Sequence, residues 1–490
     1  MNKFINAIKE IINTTKGTIF FNNVYLVGGC VRDELLNLEL KDIDIMVDIE
    51  NGGIELANYL VNTQPHIFSH PIIYQRYGTA KISFMHNTEY ECDIEFVAPR
   101  TEIYDEKSRK PIKVEFVDLK TDATRRDFTC NALYKNIHTG FIIDPTENGI
   151  KSINDMTLNT PTNPDITFFD DPLRMLRAIR FTCQKNFRMS DEVSNAIKKN
   201  AYRLASSDNA AGNPISMERI NDEFTKIIMS DNAVDGIKNL YKHDCFKYML
   251  KNQSINNMFG FDQRNVHHNE TLDAHVLSVL DGVIKNNSDA CLELRLAALL
   301  HDIGKLTCYQ IKTDGIHYSY HGHELVSGDV AYDILKEMKY SNDICDTVKF
   351  IIQRHMLLKQ FNDNNGHLKI TDKSARKIIR KCDKHLDNIL KLMDADNKAH
   401  AAESSNRLWH QIDDFRKLIP SLYSNISNNK NSSPECPKMP INGNDIMTIF
   451  NIQPGPIVKQ YLEIAQDIFD EDPTYTKDEI IEKLKNISLK

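Results

Sequence analysis

The chain has 490 residues, 41% hydrophobic and 26% charged, a balance that excludes wholesale disorder and, at roughly 150 residues per domain, predicts about three units. Its 60 basic and 68 acidic residues leave a net charge of −8, which excludes a protein that coats nucleic acid non-specifically; any such binding must use local basic surfaces. No apolar run approaches the roughly 18 residues needed to span a bilayer. The amphipathic start, Met1–Glu10, is not that of a signal peptide, and ten cysteines without paired short spacing fit reduced thiols in a cytoplasmic protein.

Residues 1–135 alternate short β-type runs (Val24–Val27, Ile43–Val47, Thr79–Phe84, Cys92–Val97) with helical stretches, which predicts a mixed α/β unit. From Asp165 to about Leu250 the pattern turns helical, as in Leu173–Phe181 and Met217–Met229. From about His267 to His400 it stays helical and becomes rich in His and Asp. Ser424–Pro440 reads as a polar, Pro-bearing linker, and Pro456–Lys490 as a last helical segment.

The first chemical constellation is Leu26-Val-Gly-Gly-Cys-Val-Arg-Asp33 followed by Asp42-Ile-Asp44. A strand turning at Gly28-Gly29 into a helix lets backbone N–H groups approach phosphates. Asp42 and Asp44 are two apart on the next strand, so both carboxylates project from one face. Paired carboxylates beside a phosphate cradle suit two Mg²⁺ ions and phosphoryl or nucleotidyl transfer. Glu95, with Asp93 as its same-face neighbour, is the candidate third carboxylate.

In Arg125-Arg-Asp-Phe-Thr-Cys-Asn131, two adjacent guanidinium forks suit phosphate and ribose, and Asp127 and Asn131 would share one helix face. In Asp170-Asp-Pro-Leu-Arg-Met-Leu-Arg177, the acids and Pro172 are expected to open a helix, with Asp171 and Arg174 adjacent three apart. An Arg beside an Asp can read a base edge. Arg donates to N3 of cytosine or N1 of adenine, and Asp accepts from the exocyclic amino group. Guanine and uracil present a ring N–H to the Arg, and each buried polar group left unpaired costs about 1–3 kcal/mol.

These segments, together with Ser216-Met-Glu-Arg-Ile-Asn-Asp-Glu-Phe224, resemble the class II CCA-adding tRNA nucleotidyltransferases and related bacterial poly(A) polymerases over about residues 20–230. The resemblance implies an α+β fold: a polymerase-β-like head with a mixed sheet over 1–140, a helical neck and start of the body over 141–262, and a helical tail over 403–490. It also implies tRNA, CTP and ATP as partners, no membrane, and a monomer or homodimer. Asp42, Asp44 and Glu95 would then be catalytic, the two aspartates holding Mg²⁺. Gly28, Gly29 and Arg32 would hold the triphosphate. Arg125, Asp127 and Asn131 would serve ribose and phosphate. Asp171 and Arg174 would template the base, supported by Arg177. Asp144-Pro145 with Gly149 resembles the family's flexible element between head and neck. Many members carry Glu-Asp where this chain has Asp170-Asp171. The Gly-Arg-Arg-Phe-type signature of many poly(A) polymerases is missing from Tyr74–Phe84, which favours CCA addition; a poly(A) polymerase or an enzyme adding only A or only C is the alternative, since the metal and ribose motifs would be the same.

A second set follows. His275 lies on an amphipathic helical pattern, His301-Asp302 follows an apolar run, and Asp396 sits in Leu392-Met-Asp-Ala-Asp-Asn397. Imidazoles and carboxylates converging from separate helices suit a Mn²⁺, Fe²⁺ or Ni²⁺ hydrolytic centre. The order resembles the HD phosphohydrolase domain, here over 263–402, with His321, His323 and His355 as candidate outer or second-metal ligands. A phosphohydrolase with an RNA-binding head is the alternative of another class. Gly443-Asn-Asp445 and Pro454-Gly-Pro456 resemble a C-terminal element often found with these enzymes.

Overall fold

The β-branched runs of the first hundred residues become neighbouring strands of one sheet. The computed structural model describes the chain except residues 1–2, 41, 87–88, 104–112, 206–214, 265–269, 364–366, 400–407, 423–437 and 488–490. Helix α1 (Lys3–Thr15) precedes β1 (Val24–Val27), α2 (Gly29–Leu35), β2 (Asp44–Val47), α3 (Gly52–Thr63), β3 (Ile72–Tyr74), β4 (Thr79–His86) and β5 (Glu89–Val97). An antiparallel pair, β6 (Arg100–Ile103) with β7 (Lys113–Phe116), then α4 (Leu119–Thr124), β8 (Tyr134–Asn136) and β9 (Ile142–Ile143) follow. The seven-stranded sheet runs β3-β4-β5-β2-β1-β8-β9. Its pairings are antiparallel except β2 with β5, whose parallel register sets Asp44 beside Glu95. A parallel pair needs a long crossover, and the chain supplies it through α3, β3 and β4. Alternation on β5 buries Cys92, Ile94 and Phe96 and turns Asp93 and Glu95 to the other face.

The compact unit Met1–Lys251 continues with α5 (Gly149–Asn154), β10 (Thr157–Leu158), α6 (Pro164–Asp170), α7 (Leu173–Lys185), β11 (Arg188–Met189), α8 (Asp191–Asn200), α9 (Met217–Ile228), α10 (Ala233–Lys242) and α11 (Cys245–Met249). α7 packs on α9 and α10. The apolar faces recur every three to four residues: Leu173, Leu176 and Ile179 on α7, Ile220, Phe224 and Ile227 on α9. The expected helix start is corrected. Asp170 ends α6, Asp171 is extended (φ −141°, ψ 102°), and Pro172 caps α7 rather than opening it. The residue before a proline is driven out of the α region, so two helices meet at Asp171.

The second unit, Asn252–Lys490, contains α12 (Ser254–Met258), α13 (Leu272–Asn286), α14 (Leu292–Leu300), α15 (Lys305–Cys308), α16 (His323–Glu337), α17 (Asn342–Ile352), α18 (Asp372–Cys382) and α19 (Leu386–Lys398). Residues Leu294–Leu300 of α14 are all buried, so this helix is central, packed by α13, α16, α17 and α19. Helices Gln411–Leu422, Gly443–Phe450, Pro456–Glu471 and Lys477–Lys485 follow. The last expected segment is therefore two helices. Asp472 precedes Pro473 and is extended for the reason that holds at Asp171. Gly443-Asn-Asp445 is the start of a helix closed by a capping box from Asn442. Most of the expected linker, 424–440, lies outside the described residues. Among those described, no helix is long and apolar enough to cross a membrane.

Candidate functional site

The turn after β1 is made by Gly28, whose φ of +63° lies in the left-handed region that a Cβ disfavours. A side chain there would also meet Arg126 Nη1 at 3.5 Å. One residue into α2, the Cys30 thiol accepts the Asp44 N–H (3.3 Å) and donates to the Asp42 carbonyl (3.4 Å), fastening the acidic strand to the turn. Asp42 is exposed and Asp44 is partly buried. Burial and the charges of Asp42 and Glu95, opposed by Arg126, push the Asp44 carboxyl up to about 6. These three acids therefore form one repelling cluster. Asp93 stands apart from it. Lys81 (2.6 Å) and Ser83 (2.8 Å) hold that carboxyl, and the Lys81 hydrogen bond lowers its pKa.

Arg125 and Arg126 both lean on Asp122 of α4, at 2.9 Å each from Nε. Asp122 is fully buried, also accepts the Tyr134 hydroxyl (2.8 Å), and stays below the usual carboxylate range because the two guanidinium charges outweigh burial. It belongs to none of the motifs recognised in the sequence. The only local sign of it is the spacing, three and four residues before the arginine pair on one helical face.

Asp127 and Asn131 do not share a helix as expected. Asp127 is in a loop, and Thr129–Asn131 form one 3₁₀ turn. They nevertheless meet: Asn131 Nδ2 donates to Asp127 Oδ1 at 2.9 Å. Arg177 grips the other oxygen of Asp127 through Nε and Nη2, at 2.9 and 2.5 Å. Arg32 is buried, donating to Asp33 (2.8 Å) and to Asn131 Oδ1 (2.6 Å), with its guanidinium 4.9 Å from the Phe181 ring centroid. Lys185 of α7 also reaches Asp33 at 3.1 Å. α2, the 3₁₀ turn and α7 are thus stitched by one ionic network. The loop before α5 is closed by Asp144, which accepts from the Thr146 hydroxyl (2.8 Å) and the Ile150 N–H (3.0 Å).

Asp171 and Arg174 do not pair through their side chains as i, i+3 neighbours of a helix, because Asp171 precedes α7. Asp171 accepts the Leu173 N–H (3.1 Å) and Arg219 Nη2 (2.9 Å). Arg174 donates to the carbonyls of Arg125 (2.6 Å) and Thr167 (3.4 Å). That bond to Arg125 ties Arg174 to the segment whose next residue, Arg126, faces Asp44. Asp170 is raised by burial, against the pull of Arg174 and Arg203.

In the second unit, residues from five helices and their ends converge. His275 Nε2 lies 3.3 Å from Asp302 and 3.2 Å from Asp396. His301 Nε2 is 3.4 Å from Asp302. His323 and His355 reach the other oxygen of Asp302 at 3.1 and 3.8 Å. His301, His323 and His355 each engage a backbone carbonyl three residues back through Nδ1, at 2.7–2.9 Å. That bond fixes the tautomer and turns the Nε2 lone pair inward. Nε2 of His301 and of His355 are buried with no hydrogen-bond partner among the described residues, the chemistry of a metal ligand set. Lys305 (2.7 Å) and Lys359 (2.6 Å) flank Asp302 and Asp396. His321, expected nearby, is exposed in the turn before α16 and stays outside the cluster.

Residues 24–159 match the poly A polymerase head domain, 186–255 the probable RNA and SrmB-binding site of polymerase A, and 273–399 the HD domain. The chain is 31% identical to a tRNA nucleotidyltransferase of Schizosaccharomyces pombe over 50% of its own length and 52% of the relative's. It is 34% identical to a CCA-adding enzyme of Ligilactobacillus salivarius over 46% and 50%. It thus spans about half the length of these curated relatives. A solved structure of the Bacillus stearothermophilus CCA-adding enzyme in complex with CTP matches 99% of this chain and 98% of that one, with TM-score 0.65 and 21% identity. The expected α+β head with a helical remainder is the fold found.

Proposed function

We propose that this chain is a template-independent nucleotidyltransferase that adds C, C and A from CTP and ATP to the 3′ end of tRNA. One observation carries the reading. Arg174, beside Asp171, is bonded to the Arg125 carbonyl, and the adjacent Arg126 faces the cluster of Asp42, Asp44 and Glu95. In this reading one nucleotide spans from the base-reading pair to the acids.

Three carboxylates gathered against their own repulsion, one of them at a raised pKa, fit hard divalent cations such as Mg²⁺. When held by Asp42, Asp44 and Glu95, such ions supply activation of the primer hydroxyl and neutralisation of the triphosphate. The chain's own groups do the rest. Gly28 and Gly29 let the backbone at the start of α2 approach the phosphates. Arg125 and Arg126, preset by Asp122, present cations to the phosphates and ribose. Asp127, held by Arg177 and Asn131, fixes the wall against which the sugar lies. Arg32 acts by binding Asn131 and Asp33, so it shapes the pocket from behind. Asp171 accepts from the exocyclic amino group of C or A while Arg174 donates to the ring nitrogen. The tRNA 3′ hydroxyl oxygen then forms a bond to the α-phosphorus, the bond to the β-phosphate oxygen breaks, and pyrophosphate leaves. The test is incubation with tRNA lacking its 3′ end and each labelled nucleotide in turn, followed by sequencing of the product ends. CCA ends support the reading; homopolymer A ends favour a poly(A) polymerase; no addition sinks it.

A second activity is favoured by the inward Nε2 atoms of His301 and His355. His275, His301, Asp302 and Asp396 would hold a Mn²⁺, Fe²⁺ or Ni²⁺ ion for phosphoester hydrolysis. Assay with a cyclic phosphodiester and each metal tests it, and absence of turnover with all three leaves this body as a scaffold only.

A further inference from the structure

The segment Ser216–Phe224 stands among the recurring motifs without a stated role. It forms the start of α9, and Arg219 and Glu223 lie four apart, on one helical face, toward α7. Their settings differ. The Glu223 carboxylate is almost wholly buried against Arg180 (3.3 Å). The Arg219–Asp171 pair is in solvent, with the side chains 47% and 31% exposed.

We infer that Arg219 is a positioning residue that sets nucleotide selectivity by orienting the Asp171 carboxylate. The inference rests on the reading of Asp171 as base acceptor. Asp171 is the single extended residue between α6 and α7, so no helical ladder restricts its side chain. Two donors determine where its carboxylate points. The Leu173 N–H takes Oδ1 and Arg219 Nη2 takes Oδ2. An ionised carboxylate oxygen has two lone-pair sites. Arg219 occupies one on Oδ2 and leaves the other for an amino group of the incoming base. Arg174 is not available to do this, because its guanidinium is aimed by the carbonyls of Arg125 and Thr167. The two readers are therefore aimed by separate parts of the neck, and Arg219 is the part that aims the acceptor. An ion pair this exposed adds little to stability, so its effect belongs to recognition rather than folding.

The test uses the full chain with tRNA lacking its 3′ end and, for the last step, tRNA ending in CC. kcat/KM is measured for CTP, ATP, UTP and GTP. Arg219→Ala should lower the CTP-over-UTP and ATP-over-GTP ratios about tenfold, with KM for tRNA unchanged within about twofold. Arg219→Lys, which keeps a cationic donor, should restore most of the ratio. In an Asp171→Ala background, removing Arg219 should change the ratio no further. Equal loss for all four nucleotides, or ratios that do not move, would overturn the inference. Should Arg219→Ala not fold, Arg219→Gln is read by the same criterion. Failure of the wild-type chain to add any nucleotide overturns the underlying reading instead, and is seen before any variant is made.

Discussion

Asp44 and Asp302 are both aspartates beside a second acid, and burial works against the charge of each, yet their proton affinities move in opposite directions. At Asp44 the neighbouring charges of Asp42 and Glu95 add to burial and raise the carboxyl to about 6. At Asp302 burial is outweighed by the Lys305 ammonium beside it, which holds the carboxyl well below the usual carboxylate range. The first cluster is under-compensated and open, since Asp42 is exposed; the second is buried and already ringed by imidazoles and lysines. An open repelling cluster suits cations that arrive with a triphosphate. A closed, tautomer-fixed histidine cage suits a resident metal.

The largest effects should separate the two centres completely. Asp42→Ala should reduce nucleotide transfer by about a thousandfold or more while tRNA binding, measured by filter retention, survives. Transfer that persists would remove the metal assignment. His301→Ala with Asp302→Ala should strip metal from the second unit, read by elemental analysis, and abolish any phosphodiester hydrolysis. Transfer should stay within about twofold. If transfer falls too, the histidine body supports the head's fold and the contrast between two independent centres is lost.

Asp122→Ala should act by a different route. It leaves Arg126, buried beside Tyr134, without its carboxylate, a loss of about 3–5 kcal/mol by urea unfolding. A change under about 1 kcal/mol would mean that Arg126 finds another partner and that the ionic network is looser than its distances imply.

The parts of this architecture legible in the sequence are those where chemistry and chain period coincide. Gly28-Gly29, Asp42-x-Asp44 and His301-Asp302 are each local, so their geometry follows from a turn, the entry to a strand or a helix end; Asp42 lies two residues before β2, not on it as the spacing predicted. Two expectations failed for one reason: proline acts on the residue before it, which broke the helix at Asp171 and again at Asp472. What stayed hidden is long-range pairing. Nothing in the spacing links Arg177 to Asp127 across 50 positions, or Arg219 to Asp171 across 48. The first is made where α7 packs against the loop before the 3₁₀ turn, the second where α9 packs beside the start of α7. The same holds for Cys30, whose thiol braces the acidic strand twelve to fourteen residues on. Of the histidines, His323 and His355 joined the cage and His321 did not, because α16 begins at His323 and leaves His321 in the turn outside.

The smallest predicted effect tests the contrast at its origin. Burial and the charges of Asp42 and Glu95 push the Asp44 carboxyl up to about 6 in the folded chain, above the ordinary aspartate value of 3.8. Between those values the folded state binds the extra proton, so stability must fall as pH rises through about 4 to 6 and stay reduced above it. A shift of about two units corresponds to at most about 3 kcal/mol. Asp44→Asn removes the titrating group. In chelator, the variant should therefore be the more stable protein at about pH 7.5, and the two should converge near pH 4.5. Excess Mg²⁺ should raise the melting temperature of the wild type at neutral pH and do little for the variant, because a cation relieves the repulsion only where a carboxylate is there to repel. Melting curves of the two proteins that run parallel across this range, with and without Mg²⁺, would mean that the acids of the first unit are not a strained cluster, and the difference drawn between the two centres would disappear with it.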